Sequence, residues 1–255
     1  MSQPLHELNP KARFSNRADD YAKFRPSYPP EAIDAVVACV QGVSKPLCAD
    51  IGAGTGISSR LIADRGVRVI AIEPNGPMRA AAEPHPLVEW RDGSAESTGL
   101  ADGSVDLVVC AQAFHWFDAE RALAEFRRVL KPGGCLSLVW NDRDNDDPFT
   151  TEYGHLILEA SGNHPAARDR SERGTVIFQS SLFRDAELRV FPYEQPMTFE
   201  GLVGRALSAS YVPKEGPQFD TLLAALRQAF DEFVGPDSRV RMRYETRVYT
   251  AVRAS

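Results

Sequence analysis

Cys48-Ala49-Asp50-Ile51-Gly52-Ala53-Gly54-Thr55-Gly56 is the stretch that decides how this chain folds. Leu47–Ile51 is a short apolar strand stopped by glycines, and from Ile57 to Asp64 the apolar spacing turns helical. Glycines at alternate positions let the backbone pass close to a ligand and adopt positive φ without a Cβ clash. A helix N-terminus behind such a loop offers free N–H groups. A strand, a glycine loop and a helix in that order form a ligand-binding corner.

The pattern repeats outward from this corner. Val67–Ile72 is a β-branched run, hence a buried strand. Gly76–Ala82 reads as a helix, broken by Pro84 and Pro86 before a strand at Leu87–Arg91. Val105–Cys110 is another buried strand, and Ala119–Leu130 an amphipathic helix. Lys131-Pro132-Gly133-Gly134 ends that helix, and Cys135–Trp140 follows as a fifth strand. Upstream, Pro30–Val40 is helical, with proline at its start. Strands alternating with helices predict an α/β fold, a doubly wound and mostly parallel sheet with helices on both faces.

After Asn141 the character changes. Asn141–Asp147 is a polar loop, Pro148–Ala160, Phe199–Ser208 and Phe219–Val234 are helices, and Leu188–Tyr193 is a candidate strand. Arg239–Arg253 alternates, with Val240, Met242, Tyr244, Thr246 and Val248 on one side and mainly arginines on the other. Period two over that length predicts a half-exposed strand or bent strand pair. Its arginines read as a solvated face, a basic binding stripe being the sharper alternative.

Composition narrows the function classes. The chain has 255 residues, 43% hydrophobic and 25% charged, with a net charge of -6, which suits one globular domain and argues against a dedicated nucleic-acid binder. The longest charge-free run, Leu107–Phe117, is far short of the ~20 residues a spanning helix needs. The N-terminus has no apolar signal region. Cys39, Cys48, Cys110 and Cys135 form no C-x-x-C pair, so buried thiols of a reducing cytoplasm are expected, with no metal site.

Four motifs carry the chemistry. The glycine loop lacks the lysine of a phosphate loop, and G-x-G-x-G differs from the dinucleotide pattern G-x-G-x-x-G. Glu73, at the tip of the second strand, is placed to accept both hydroxyls of a ribose. Asp92-Gly93-Ser94-Ala95-Glu96 is a small polar turn able to reach an adenine edge. The strand from Val105 runs into Ala111-Gln112-Ala113-Phe114-His115-Trp116, at the carboxyl edge where open α/β sheets bind ligands.

Together, DIGAGTG (50–56), AIEPN (71–75), DGSAE (92–96), SVDLVVCAQAFHWF (104–117) and EFRRVLKPGG (125–134) resemble the class I S-adenosylmethionine-dependent methyltransferases. The likeness covers Ala49 to about Asn141. Phe14–Pro29 looks like the N-terminal segment of a small-molecule branch that includes trans-aconitate methyltransferase-like and ubiquinone-pathway-type enzymes. The resemblance implies a Rossmann-like seven-stranded sheet whose last strand is antiparallel, with a helical cap. Residues 1–44 would form a segment and helix closing over the cofactor, 45–141 the cofactor-binding core, and 142–255 the cap insert and final strands of the same domain.

Residue by residue, the resemblance implies that Asp50 orders the glycine loop near the methionine amino group. Gly52, Gly54 and Gly56 would pass beneath the methionine and ribose, with Thr55 among the cofactor-binding residues, and Glu73 would hold the ribose hydroxyls. Pro74 and Met78 would pack on the adenine, with Ser94, Ala95 and Glu96 at its edge. Ala111 and Gln112 would meet the methionyl end, while Tyr21 and Arg25 close over the cofactor. Arg25 is suited to pair with its carboxylate.

The expected activity is in-line methyl transfer to a small molecule, the acceptor being a carboxylate or another oxygen nucleophile. His115 is the candidate catalytic group, orienting or deprotonating the acceptor, or else walling the pocket with Trp116. His6, His85, His155 and His164 lie away from this edge and receive no role. Trp116, Trp140, Tyr153, Arg205 and Tyr211 are the candidates for the acceptor pocket. The expected partners are a small-molecule acceptor, no nucleic acid and no membrane, in a monomer or homodimer. A non-catalytic S-adenosylmethionine-binding protein and an NAD-dependent oxidoreductase are the alternatives. A base methyltransferase is disfavoured by the charge and by the lack of an N-P-P-Y-type tetrapeptide after the fourth strand.

Overall fold

The computed structural model describes residues 22–164 and 174–255. Seven strands form one sheet: β1 (Leu47–Ile51), β2 (Arg68–Ile72), β3 (Val88–Arg91), β4 (Val105–Ala111), β5 (Leu130–Arg143), β6 (Phe183–Met197) and β7 (Val240–Arg253). Their order is β3-β2-β1-β4-β5-β7-β6, and only β7 runs against its neighbours. The sheet is therefore mostly parallel with a reversed last strand, as expected. The helices are α1 (Pro30–Val37), α2 (Ile57–Ala63), α3 (Gly76–Ala80), α4 (Ala119–Val129), α5 (Pro148–Ala160), α6 (Val176–Gln179), α7 (Phe199–Leu207) and α8 (Pro217–Phe233).

Alternation along the strands feeds two cores. Ala49, Ile51, Ile70 and Ile72 point to the side where α4 buries Leu123, Phe126 and Val129. Cys48, Val69, Leu107 and Val109 point to the other, against Ile33 and Val36 of α1 and Ile62 of α2. A strand covered on both faces must be apolar throughout, which is why β4 is buried from Val105 to Cys110.

A third core lies in the cap, where Phe149 and Tyr153 of α5, Leu202 of α7 and Leu222, Leu226 and Phe230 of α8 meet Val240, Met242 and Tyr244 of β7. Further along, Val248 and Ala251 of the same strand belong to the two sheet cores. β7 thus nails the cap to the sheet.

Three segments differ from the sequence reading. Lys131–Gly134 does not separate helix from strand but lies inside β5 as a bulge, since Val105 pairs with Leu130 and Leu107 with Cys135. The Lys131 ammonium at 2.8 Å and the Leu47 amide at 3.0 Å both reach the Asp106 carboxylate beside it. β5 continues through Asn141–Arg143, paired with Thr246–Tyr244 of β7, where a loop was expected. β6 is far longer than Leu188–Tyr193, because an edge strand needs no apolar alternation and tolerates Pro192 and Pro196.

Three of the four arginines of β7 are ion-paired: Arg241 with Asp237 at 2.7 Å, Arg243 with Glu194 at 2.9 Å and Arg247 with Glu245 at 2.8 Å, while Arg253 donates to the Leu130 carbonyl. That is a solvated, neutralised face and not a basic stripe. All four cysteines are free thiols. No helix among the described residues is long and apolar enough to cross a membrane. Leu138 is fully buried at the centre of β5. Leu138→Ala is expected to lower stability by about 2–5 kcal/mol in chemical denaturation, from lost transfer energy and the cavity left behind.

Candidate functional site

The site grows from the turn after β1. Gly52, Gly54 and Gly56 all take left-handed φ, at 69°, 60° and 76°. A Cβ on Gly52 would stand 2.7 Å from the Ala113 Cβ, and one on Gly56 would stand 2.8 Å from the Trp90 ring. The Gly52 amide donates to the Ile72 carbonyl at 2.8 Å, tying the turn to the end of β2. Glu73, the next residue after β2, accepts from the Gly54 amide at 2.9 Å and the Asn75 amide at 2.8 Å, one on each carboxylate oxygen. Burial pushes the Glu73 pKa above the ordinary glutamate value, against the pull of those two amides.

Asp50 is fully buried beneath the turn. The Ser58 and Ser59 hydroxyls both donate to its Oδ2 at 2.6 Å, while Oδ1 has no protein partner. Burial raises its pKa despite the two serines. The Thr55 hydroxyl is likewise buried without a partner.

Around Glu73 the chain forms a compact shelf. Asn75 caps α3 by accepting from the Met78 amide at 3.1 Å, Met78 is buried and Pro74 half-buried. Ser94 and Ser97 close a reciprocal turn that holds the buried Ala95, and Glu96 accepts from the Asp118 amide at 3.1 Å. That last bond links the turn after β3 to the loop after β4. Gln112, at the exit of β4, takes φ of 57°, unusual outside glycine, with its amide donating to the Val139 carbonyl at 2.8 Å. Its side-chain amide donates to the Asn141 carbonyl at 3.3 Å.

A cavity of about 450 Å³ opens at this edge. The glycine turn contributes Gly52 and Thr55, the exit of β4 Ala111 and Gln112, and the end of β5 Trp140 through Arg143. The cap contributes His155, Arg205, Tyr211 and Tyr244, and Arg25 enters from the N-terminal segment.

Eight of the anticipated residues therefore share one wall: Arg25, Gly52, Thr55, Ala111, Gln112, Trp140, Arg205 and Tyr211. Gly54, Gly56, Glu73, Pro74, Met78, Ser94, Ala95 and Glu96 lie on the neighbouring turn and shelf, and Asp50 lies under the turn. His115 is 3% exposed, its ring 5.1 Å from that of Trp116, and neither lines the cavity. Tyr153 is buried behind the wall, under the Arg143 guanidinium at 5.3 Å. Tyr21 falls outside the described residues.

Asn141, Asp142, Arg143, His155 and Tyr244 also line the cavity, though no motif in the sequence points to them. His155 was set away from the edge, yet α5 brings it onto the cavity. The continuation of β5 past Trp140 was the one usable signal, hidden by its polar residues. Among the described residues no group of three or more His, Cys, Asp or Glu side chains could hold a metal ion.

Residues 24–27 are strapped across the cavity rim. The Phe24 ring sits against Gly204 of α7, and Gln195 donates to the Phe24 carbonyl at 3.1 Å. Arg25 donates to the Ser208 carbonyl at 3.1 Å, and Asn141 to the Ser27 carbonyl at 2.8 Å.

A family model described as a methyltransferase domain matches residues 49–138. An uncharacterized methyltransferase of Schizosaccharomyces pombe is 33% identical over 191 residues, 74% of this chain and 75% of its own. Another from Mycobacterium tuberculosis strain H37Rv is 43% identical over 149 residues, 56% of this chain and 58% of its own length. Among solved structures, that of a putative type II methyltransferase from Anaeromyxobacter dehalogenans superposes with a TM-score of 0.62 at 26% identity, covering 90% of this chain and 97% of that one.

Gly204→Ala tests the strap, because its Cβ would enter the Phe24 ring. It is expected to cost about 1–3 kcal/mol in chemical denaturation and to speed proteolysis near residues 22–27.

Proposed function

This chain belongs to the class I S-adenosylmethionine-dependent methyltransferases, and on that premise we propose that it transfers a methyl group from S-adenosylmethionine to a small-molecule acceptor. The observation that carries the reading is the turn at Gly52–Gly56. A Cβ at Gly52 or Gly56 would run into Ala113 or Trp90, so the turn is bare backbone at both ends, with the Glu73 carboxylate fixed beside it and the cavity beyond.

The residues fit the methyl donor. Each Glu73 oxygen takes one backbone amide and keeps lone-pair capacity for a ribose hydroxyl. Pro74 and Met78 offer an apolar floor for adenine, and the Ser94–Glu96 turn its polar edge. The unpartnered Asp50 Oδ1 and Thr55 hydroxyl supply unused hydrogen-bonding capacity at the methionine end, where Ala111 and Gln112 approach. Arg25, and Tyr21 with it, would close over that end, the guanidinium meeting the carboxylate.

When bound, S-adenosylmethionine supplies a methyl group on a sulfonium, open to in-line attack by the acceptor as the electron pair leaves to sulfur. The chain's own contribution is alignment and exclusion of water, and proximity alone can supply a large part of such a rate. Trp140, Tyr211 and Arg205 would hold an acceptor with an oxygen nucleophile in the cap half of the cavity. Tyr153 would brace them from behind. His115, buried beside Trp116, would shape the loop after β4. A protonated acceptor would find His155 as the imidazole on the cavity wall.

Calorimetry with S-adenosylmethionine and NAD is expected to show saturable binding of the first alone. Incubation with pooled small-molecule acceptors should then yield S-adenosylhomocysteine, and binding without turnover would mark a non-catalytic protein. Glu73→Ala is expected to weaken S-adenosylmethionine binding by about 10- to 100-fold, the worth of one or two hydrogen bonds to a charged group.

The pH dependence follows from the direction of the Glu73 shift. Its carboxylate must be ionised to accept both hydroxyls, so affinity is full above its raised pKa and falls as pH drops through it. The fall should begin at a higher pH than an ordinary glutamate would give, and Glu73→Gln should flatten it in a titration of binding constant against pH.

A further inference from the structure

Arg205 lies on the cavity wall, and no acid among the described residues pairs with it. Its side chain comes from α7 and is only 7% exposed. Nε donates to the Tyr244 hydroxyl and Nη1 to the Ser208 hydroxyl, both at a long 3.4 Å, while Nη2 makes no hydrogen bond to the described residues. Among the described residues it forms no ion pair. Burial works against its charge, but the phenol oxygens of Tyr244, Tyr153 and Tyr211 favour the guanidinium and keep its pKa above the ordinary arginine value.

Burying a guanidinium without a carboxylate is costly, and buried charges in folded proteins are normally paired. Acids are not scarce here, with 35 Asp and Glu against 29 Lys and Arg. The rest of the cavity deepens the imbalance. Arg143, from the end of β5, stands over Tyr153 and has no ion pair among the described residues either. Asp142 is the one carboxylate on the wall among the described residues, and it lies 3.4 Å from Arg247 on the neighbouring strand. A chain of net charge -6 thus encloses a cavity whose described wall carries Arg25, Arg143 and Arg205 and a single, already engaged acid.

We propose that Arg205, with Arg143, forms an oxyanion subsite in the cap, and that the methyl acceptor carries a carboxylate or phosphate head group that docks there. The planar fork of Arg205, with Nη2 unspent, suits a two-point contact to such a group, and the tyrosine hydroxyls around it can add donors. Arg25 is left to the methionine carboxylate. The acceptor assignment rests on the methyl-transfer reading, whereas the subsite can be tested without it.

The test is calorimetric titration of the full chain with succinate, inorganic phosphate and the neutral succinamide, with and without saturating S-adenosylhomocysteine. Succinate or phosphate is expected to bind saturably and succinamide not to bind, which also separates the two head groups. Arg205→Gln should weaken the anion at least about tenfold, and Arg143→Gln by a smaller factor, with S-adenosylhomocysteine affinity unchanged within about twofold in both. Ligand-free Arg205→Met should melt at or above the wild-type temperature, because it removes an uncompensated buried charge. Anion affinity retained in Arg205→Gln, equal binding of succinamide, or no saturable anion binding would overturn the subsite. So would a fall of more than about 5 °C in Arg205→Met, the mark of a structural brace. Failure of S-adenosylhomocysteine to bind would instead count against the methyl-donor reading, leaving the anion titration to decide the subsite.

Discussion

Beyond Ile51 the backbone must turn in a space already bounded by Ala113, Phe117 and Trp90, and at Gly52 and Gly56 only a residue without a Cβ fits. The Glu73 carboxylate then pins the turn by taking the Gly54 amide, so the tip of β2 and the exit of β1 become one rigid edge. Asp50 does the same from below, gathering two serine hydroxyls of α2 on a single oxygen. The rest of the site is placed relative to this edge. Rigidity of this kind is what a transfer reaction governed by alignment requires.

The second constraint is the reversed strand. β7 is antiparallel to both β5 and β6, and it carries cap residues at one end and sheet residues at the other. Val240, Met242 and Tyr244 are buried among cap helices, whereas Val248 and Ala251 are buried in the sheet. The cap cannot drift from the carboxyl edge without breaking that strand. This is why Arg205 of α7 and Trp140 of β5 share a wall despite coming from different layers.

How legible a feature was depended on whether neighbours in sequence or neighbours in space define it. Leu47–Ile51 and Pro148–Ala160 were readable to the residue because strand and helix periodicity are local. β6 was read as a fragment because its exposed edge relieves Arg184, Glu187, Arg189 and Pro192 of any need to alternate. Glu73 could be anticipated from its place at a strand tip. The positive φ of Gln112 could not, since nothing in a glutamine announces it. His155 sits on an amphipathic helix like many others, and only the packing of α5 over the edge brings it to the cavity.

The linear order of residues thus settled the alternating strands and helices, the glycine turn and the acid opposite it, because each is a rule about residues a few positions apart. Which side chains face one another across the cavity was settled by folding alone. Arg25, Asp142 and Arg205 are separated by more than sixty residues at each step, and their meeting depends on β7 clamping the cap to the sheet. Charge balance at such a place is a property of the enclosed volume and not of the chain. A net acidic sequence can therefore wall its cavity with arginines, and only the tertiary structure reveals it.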